Sequence, residues 1–296
     1  MKIIITGSLG HISKPLAVQL LKEGHQVTVI SSKQDKQSVI ETLGATAAIG
    51  SLENIEFLNT TFTGADSVYC MVPPNFAEID QVAYYSRIGN AYAKALFKSG
   101  VKRVVHLSSY GAHLQKGTGF ISGSHEAEDI LNKLHQISIT HLRPGYFYYN
   151  LFSFAGMIKQ AGFMAANYGG DDKIVVVHPV DIALAAAEEL KDNSTKNKIR
   201  YVASDDLSAN KIATILGTAI GKPDLNWLTV TNAQFQTEMK KNGIPPHLVA
   251  NFIEMGEATH SGALREDYDN HKPVFGRMKL EDFAKEFAAI FLKIET

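Results

Sequence analysis

A glycine-containing turn near the start of the sequence is its strongest chemical feature. In such a turn one glycine permits a tight bend, a second lets the backbone approach a pyrophosphate, and the helix that follows offers unpaired N–H groups and partial positive charge. Ser13 stands where a third glycine or an alanine would allow close packing of helix on strand. The turn predicts a dinucleotide site, with a turn kept only for packing as the alternative. The candidate cofactor-binding residues are Gly7, Ser8, Leu9, Gly10, His11 and Ile12.

A second candidate contact follows the next strand-like run. An acidic residue at this point would hold the ribose 2′-hydroxyl of NAD, but the sequence has Ser31, Ser32 and Lys33. Two hydroxyl groups and a cation suit the 2′-phosphate of NADP, which is negatively charged and accepts hydrogen bonds. We therefore expect NADP (NADPH) in preference to NAD. One alternative is a turn that is only solvated, and another is that Asp35 rotates inward.

A third candidate contact consists of Met71, Val72 and Pro73, which end a later strand-like run. Ligands of open α/β sheets bind beyond the carboxyl ends of the strands. These residues are therefore expected beside the cofactor, on the side of the adenine and the nicotinamide ribose. The alternative is that the proline pair only stops the strand.

Alternating strand and helix patterns position these motifs. Residues 2–6 form an apolar run typical of a strand buried on both faces, residues 13–23 carry apolar side chains at helical spacing, and residues 26–30 form a second strand. The alternation continues to a sixth strand at residues 138–142. It predicts an α/β fold, a Rossmann doubly wound parallel sheet with helices on both faces.

The regular alternation of strand and helix patterns ends at Pro144. Aromatic and glycine-rich stretches follow, and then short strands and several helices. We expect a smaller C-terminal α/β domain interleaved with the last sheet strands. The predicted division is residues 1–152 as an NAD(P)-binding Rossmann domain and residues 153–296 as a substrate-binding region.

Composition excludes several classes of function. The chain has 296 residues, with 29 Lys+Arg against 30 Asp+Glu and a formal charge of -1, which argues against nucleic acid as a partner. No apolar run approaches the roughly 18 residues of a membrane span, and no signal-peptide pattern is present, so the expected location is cytoplasmic. Cys70 is the only cysteine. This excludes an internal disulfide and a cysteine-based zinc cluster, and we expect no metal site.

Five segments stand in order along the chain: TGSLGHI at 6–12, GVKRVVHLSS at 100–109, LRPGYFYYN at 142–150, PVDIA at 179–183 and GRMKLEDF at 276–283. Together they resemble the NmrA-like branch of the atypical short-chain dehydrogenases/reductases. The resemblance covers nearly the whole chain. It implies a Rossmann domain, a small substrate domain and a mostly NADP-type cofactor, in a family that includes quinone reductases, phenylpropanoid reductases and redox-sensing regulators.

The sequence departs from the catalytic pattern of that superfamily. A Tyr and a Lys four residues later normally follow strand five, and the lysine lowers the tyrosine pKa so that the phenol can exchange a proton. Here that stretch reads GSHEAE at 123–128 and has neither residue. The lysine that NmrA-like enzymes commonly keep at or beside Ser124 is also absent. Tyr268 and Lys272 have the right spacing but lie outside this context, and we interpret them as coincidence.

The remaining catalytic candidates are Ser109, His125 and Tyr146. Ser109 could hydrogen-bond a carbonyl, and His125 could relay a proton near neutral pH. The alternatives are that Ser109 only ends a strand and that His125 faces solvent. Tyr146 belongs to a segment that resembles the lining of the family's nicotinamide pocket.

Other chemically active side chains receive structural interpretations. His106 is expected in the core and Cys70 as a buried, inert thiol. The charges of Glu188, Glu189 and Lys191 are expected on a solvated helix face.

Two functions follow from these observations. The first is an NADPH-dependent reductase of a quinone-like or enone-like small molecule, because direct hydride transfer to such acceptors needs little acid or base help. The second is a catalytically silent NADP(H)-sensing regulator that acts through a protein partner. A homodimer is compatible with either. A nucleotide-sugar epimerase ranks last, because its chemistry depends more strictly on the missing tyrosine.

Overall fold

The computed structural model describes residues 1–293, so positions 294–296 of the predicted C-terminal region lie outside the described residues. The strands are β1 (Lys2–Ile5), β2 (Gln26–Ser31), β3 (Thr46–Ile49), β4 (Ser67–Met71), β5 (Arg103–Leu107), β6 (Ser138–Pro144), β7 (Tyr146–Phe147), β8 (Met164–Ala166), β9 (Lys173–Val177), β10 (Lys198–Val202), β11 (Asp205–Ser208) and β12 (Trp227–Thr229).

The helices are α1 (Ser13–Lys22), α2 (Gln37–Thr42), α3 (Ile55–Phe62), α4 (Gln81–Ser99), α5 (Ile121–Asn132), α6 (Ala155–Ala161), α7 (Pro179–Leu190), α8 (Ala209–Ala219), α9 (Asn232–Lys241), α10 (Pro246–His260), α11 (Glu266–Asn270) and α12 (Leu280–Phe291). Short 3-10 turns cover Gln34–Lys36, Tyr148–Phe154 and Ala263–Arg265. Within residues 1–293, no helix combines the length and the apolar character that a membrane span requires.

The main sheet has seven strands in the order β10-β6-β5-β4-β1-β2-β3. β1 pairs in parallel with β2 and β4, and β5 pairs in parallel with β4 and β6. The strand order reverses between β1 and β4, which leaves a crevice beyond the carboxyl ends of those strands. This architecture confirms the predicted Rossmann-type doubly wound sheet.

The chain forms two compact units that are interleaved along the sequence. The first contains Met1–Ser109, Gly123–Arg143 and Ile182–Arg200, and the second contains Tyr110–Ser122, Pro144–Asp181 and Tyr201–Thr296. Where the sequence suggested one boundary at residue 152, the chain passes between the units several times, because α7 and the start of β10 return to the first unit.

The first unit has a core of aliphatic strand residues and aromatic helix residues. Ile3 and Ile5 of β1 are fully buried, as an apolar run in a parallel sheet predicts. α4 begins where the Asp80 side chain accepts a hydrogen bond from the Ala83 N–H at 2.9 Å, and it ends at Gly100 with a φ of 76°. A side-chain N-cap and a left-handed glycine thus set the limits of this helix.

The second unit has two smaller sheets, β11-β9-β7 and β12-β8. Its core is aromatic: the ring of Phe152 stacks on that of Phe287 with centroids 5.6 Å apart, and Phe154 lies 4.6 Å from Trp227. The aromatic stretch after Pro144 therefore fills a core of its own.

Candidate functional site

The turn after β1 has a backbone that requires glycine. Gly7 has a φ of 89° and Ser8 a φ of 55°, and Ser8 is the one non-glycine residue of the described chain with a positive φ. A Cβ atom on Gly7 would lie 2.8 Å from the Ser13 Oγ and 3.0 Å from the Met71 side chain. The Ser13 hydroxyl donates to the Thr6 carbonyl at 2.8 Å. Ser13, which stands where the glycine motif has its third glycine, therefore holds the turn against the end of β1.

The same turn is attached to the end of β2. The Ser8 N–H donates to the Ile30 carbonyl at 3.0 Å, and the Ser8 hydroxyl donates to the Ser31 hydroxyl oxygen at 3.1 Å. The Ser31 oxygen also accepts from the Lys33 N–H at 3.2 Å. Ser31 is buried, whereas Ser32 and Lys33 are exposed. The Ser31 hydroxyl thus shapes the turn, and the next two residues are the accessible ones.

The end of β4 lies directly against the glycine turn. The Met71 N–H donates to the Thr6 Oγ1 at 2.9 Å, and the Met71 carbonyl accepts from the Tyr92 hydroxyl at 2.7 Å. The Tyr84 hydroxyl donates to the Pro73 carbonyl at 2.9 Å. Val72 is buried between these two anchored residues. Two tyrosines of α4 therefore fix the backbone where the sequence predicted a cofactor contact.

The start of α1 has the features of an anion site. Gly7 through Leu9 are partly exposed and Gly10 and His11 are exposed, while Ile12, the N-cap residue, is buried. Throughout α1, which the structure describes completely, no side chain caps the N-terminus and no acidic residue occupies the first turn. The partial positive charge at the N-terminus of α1 thus lies beside the exposed backbone of the turn from Gly7 to Ile12. These residues fit a dinucleotide pyrophosphate.

A buried ion pair lies beneath the end of β5. The Ser108 hydroxyl donates to the Glu128 Oε1 at 2.5 Å. Arg143 donates to the same carboxylate from Nε at 3.0 Å and from Nη2 at 2.6 Å. The Glu128 and Arg143 side chains are each 5% exposed. The sequence reasoning did not find this set, because its members are far apart in the chain and carry no motif.

Two histidines continue the polar row along β5 and β6. His106 and His141 face each other across the strands with their Nδ1 atoms 3.0 Å apart, and the His141 Nε2 lies 3.1 Å from the Asn132 Oδ1. If Asn132 accepts, His141 carries its proton on Nε2 and His106 donates from Nδ1. Burial lowers the pKa of each histidine to about 3. His106 is therefore a neutral core residue, as expected.

A hydroxyl pair joins α4 to the first turn of α5. The Tyr85 ring packs so closely on Gly123 that a Cβ there would lie 2.7 Å from the ring, and its hydroxyl hydrogen-bonds with the Ser124 side chain. Burial raises the pKa of Tyr85 to about 12. The family resemblance implies a lysine at or beside Ser124, which this chain lacks. The sequence did not predict this contact of Tyr85, because the residue fits the pattern of an ordinary amphipathic helix.

The three catalytic candidates have different surroundings. Ser109 is partly buried at the end of the first unit's β5 segment, next to Ser108. His125 is partly exposed on α5, with Nε2 at 3.4 Å from the Asp129 carboxylate one turn later. Tyr146 lies in β7 of the second unit, where burial raises its pKa well above the usual value and its hydroxyl hydrogen-bonds with Tyr168 and Ser153.

The other chemically active residues have structural surroundings. Cys70 is fully buried and burial raises the pKa of its thiol. The Tyr268 ring packs at 5.7 Å from Tyr110, while Lys272 pairs with Asp269 at 3.1 Å. In residues 1–293, no group of three histidine, cysteine or acidic side chains is arranged to hold a metal ion.

The expectation that Glu189 lies on a solvated helix face is wrong. Its side chain is 5% exposed and forms ion pairs with Arg103 at 2.8 Å, Lys198 at 2.7 Å and Arg200 at 2.9 Å. Three cations from β5 and β10 compensate for its burial, which a helical pattern alone cannot reveal.

Comparison with known proteins gives a consistent set of relatives. The family model of the NmrA-like family matches residues 1–280. The chain is 24% identical over 293 residues to the (4-alkanoyl-5-oxo-2,5-dihydrofuran-3-yl)methyl phosphate reductase of Streptomyces griseus subsp. griseus, covering 98% of this chain and 99% of that protein. It is 25% identical over 297 residues to the NAD(P)H azoreductase of Xenophilus azovorans, again covering 98% and 99%.

A solved structure shows the same fold. The NADPH-dependent quinone oxidoreductase of Escherichia coli, complexed with NADPH, superposes with a TM-score of 0.81 at 21% identity. The match covers 96% of this chain and 99% of that one.

Proposed function

The chain belongs to the NmrA-like family, and on that premise we propose that it is an NADPH-dependent reductase of a quinone-like or enone-like small molecule. The observation that carries the proposal is the glycine turn. It is held to β2 through Ser8 and to β4 through Thr6, and it opens onto the uncapped start of α1. Such a cradle is suited to a pyrophosphate.

We assign the cofactor contacts by their accessibility. The Ser8 and Gly10 N–H groups are bonded to the Ile30 and Gly7 carbonyls, so the other backbone N–H groups of the turn from Gly7 to Ile12 would hold the pyrophosphate. Ser32 and Lys33 would contact the 2′-phosphate of NADPH. Ser31 would support that contact through its bond to the Lys33 N–H. Met71, Val72 and Pro73 would lie along the nicotinamide ribose. The bound dinucleotide supplies the hydride, and the protein supplies position and a low-polarity environment.

The substrate side of the proposal rests on the curated relatives. Two curated relatives carry names that describe reductases of small molecules, an NAD(P)H azoreductase among them. This supports the reaction class for the present chain.

The test combines binding with turnover. Fluorescence titration of the purified protein with NADP, NADPH, NAD and NADH should show tighter binding of the two phosphorylated forms. NADPH oxidation should then be followed with a panel of quinones, enones and azo compounds. A protein that binds NADPH but oxidises it with none of these acceptors would contradict the reductase.

The absence of Tyr and Lys from the start of α5 supports a second candidate function, a regulator that senses NADP(H) and acts through a protein partner. Its signature is different affinity for NADP and NADPH, together with a partner captured in only one cofactor state. Equal affinities and no cofactor-dependent capture would contradict it.

A further inference from the structure

The hydroxyl pair of Tyr85 and Ser124 occupies the region of the fold where the superfamily's acid/base residues are missing from this sequence. We propose that Tyr85 donates the proton that the reduced acceptor takes up, and that Ser124 returns a proton to Tyr85. The proposal rests on the reductase function proposed above and deepens it, because it names the protonating group.

The position of Tyr85 is set by its neighbours in the first unit. Tyr84 donates to the Pro73 carbonyl, so this part of α4 lies against the end of β4. The rings of Tyr84 and Tyr85 are 6.0 Å apart. Tyr85 is partly exposed. Tyr85 therefore directly follows, along α4, the residue that is bonded to the strand end that we assign to the nicotinamide ribose.

The position of Ser124 is set by the buried ion pair. Ser108, the first residue after β5, bonds to Glu128, which lies one helical turn after Ser124 on the same face of α5. The part of α5 before Glu128 therefore extends beyond the carboxyl end of β5. Ser124 and Tyr85 meet on this side of the sheet, where ligands of open α/β folds bind.

The absence of a Cβ at position 123 is what permits the contact. The Tyr85 ring fills the space that any larger residue would occupy, with its Cγ 2.7 Å from the ideal Cβ position. A glycine in the first turn of a helix costs stability relative to alanine. Gly123 therefore weakens the start of α5, and it allows the Tyr85 phenol to lie beside Ser124.

The Tyr85 hydroxyl carries its proton at neutral pH, because burial raises its pKa to about 12. A neutral phenol can hydrogen-bond a carbonyl oxygen of the acceptor and stabilise the negative charge that develops there during reduction. This differs from the superfamily's usual arrangement, in which a lysine lowers the phenol pKa.

The proton balance is simple. Once the acceptor has received two electrons and one proton, its oxygen is an anion. The Oη–H bond of Tyr85 breaks and a new O–H bond forms on that oxygen. The Ser124 hydroxyl passes its proton to the phenolate while the Ser124 oxygen takes a proton from solvent water, so that no serine alkoxide forms.

Tyr85→Phe tests the proposal because it retains the ring that packs on Gly123 and removes the hydroxyl. With a quinone that the wild-type protein reduces, we expect kcat to fall at least tenfold, with unchanged NADPH affinity and a changed solvent isotope effect. In cofactor-free protein, calorimetry with the same quinone should show affinity reduced by about fivefold, which is the loss of one hydrogen bond. Ser124→Ala should lower kcat by a smaller factor.

Ser86→Ala is the matched control, since it removes a neighbouring α4 hydroxyl that contacts Glu126 at 3.4 Å. It should change neither kcat nor quinone affinity. If Tyr85→Phe matches the wild type in quinone affinity, kcat and isotope effect, Tyr85 is not the donor, whatever the outcome for the reductase. If the wild-type protein oxidises no NADPH, the reductase proposal fails. The calorimetry is then done with a quinone that binds the wild-type protein, and either unchanged affinity in Tyr85→Phe or the lack of any binding quinone overturns the contact as well.

Discussion

Gly7 shows how much of the binding turn depends on one missing side chain. Its φ of 89° disfavours any other residue, and a Cβ would meet both Ser13 and Met71. We expect Gly7→Ala to lower the dinucleotide affinity at least tenfold. We also expect it to lower the free energy of unfolding by more than the roughly 1 to 2 kcal/mol that left-handed backbone strain costs. Cofactor titration and urea unfolding measure the two effects.

Gly24→Ala provides the matched control for Gly7→Ala. Gly24 has a φ of 84° with nothing within 4 Å of an added Cβ, so it isolates the backbone strain. It should lose stability and keep dinucleotide affinity. Equal losses of affinity in the two variants would show that the turn is not the binding site.

Lys33 tests the choice between the two dinucleotides. Its side chain is exposed two residues after the anchored Ser31. Lys33→Glu replaces attraction for a 2′-phosphate by repulsion, so NADPH affinity should fall about tenfold or more while NADH affinity changes little. Lys22→Glu, an exposed cation at the end of α1, is the charge control. A fall of the same size for NADPH and NADH in Lys33→Glu would refute the assignment.

The turn after β1 is predictable from the sequence because its information is local. Gly7, Gly10 and the run into α1 are contiguous, and the physics of a phosphate turn requires that order. The role of Ser31 was only partly foreseen, since its hydroxyl is used by Ser8 and Lys33 within the turn. Tyr85 could not be found at all, because its partner is Ser124 on another helix.

Among the elements, α5 shows how contacts outweigh local propensity. It begins at Ile121, in a serine- and glycine-rich stretch that has low helix propensity. Contacts across the fold outweigh that propensity: Gly123 admits Tyr85, and Glu128 holds Ser108 and Arg143. The strands were easier to predict, since apolar runs such as that of β1 specify burial directly.

The ion pair between α5 and β6 should be important for stability. Glu128→Ala leaves Arg143 buried without its carboxylate, and we expect a loss of roughly 3 to 5 kcal/mol in the free energy of unfolding. The double variant Glu128→Leu, Arg143→Met should recover most of this loss, because no uncompensated charge remains. Urea unfolding of each variant gives the values.

Glu238→Ala serves as the comparison for that experiment. Glu238 pairs with Lys241 at 3.6 Å on the surface of α9, where ion pairs contribute little. Its removal should hardly change stability. A Glu128→Ala protein as stable as Glu238→Ala would show that the Glu128–Arg143 pair does not support the fold.

For the molecule as a whole, His106 and His141 predict how stability depends on pH. Their folded pKa is lowered to about 3, whereas an unfolded histidine titrates near 6.5. The unfolded chain therefore binds more protons between these values, and stability should fall as the pH falls from about 6.5 toward 3. The slope is up to about 1.4 kcal/mol per pH unit for each histidine.

Urea unfolding between pH 7 and pH 4 measures that slope. Replacing both buried histidines by glutamine should flatten it, whereas replacing the exposed His135 by glutamine should leave it as in the wild type. A double variant with the wild-type slope would assign the acid sensitivity to other groups.

The return of residues Ile182–Arg200 to the first unit has a consequence for synthesis on the ribosome. Until these residues emerge, β6 lacks its neighbour β10 and Arg103 lacks Glu189. At about 5 to 20 residues per second, the intervening segment Pro144–Asp181 takes on the order of seconds to translate. During that interval the nascent sheet carries an open edge strand, which is the feature that chaperones and neighbouring nascent chains encounter first.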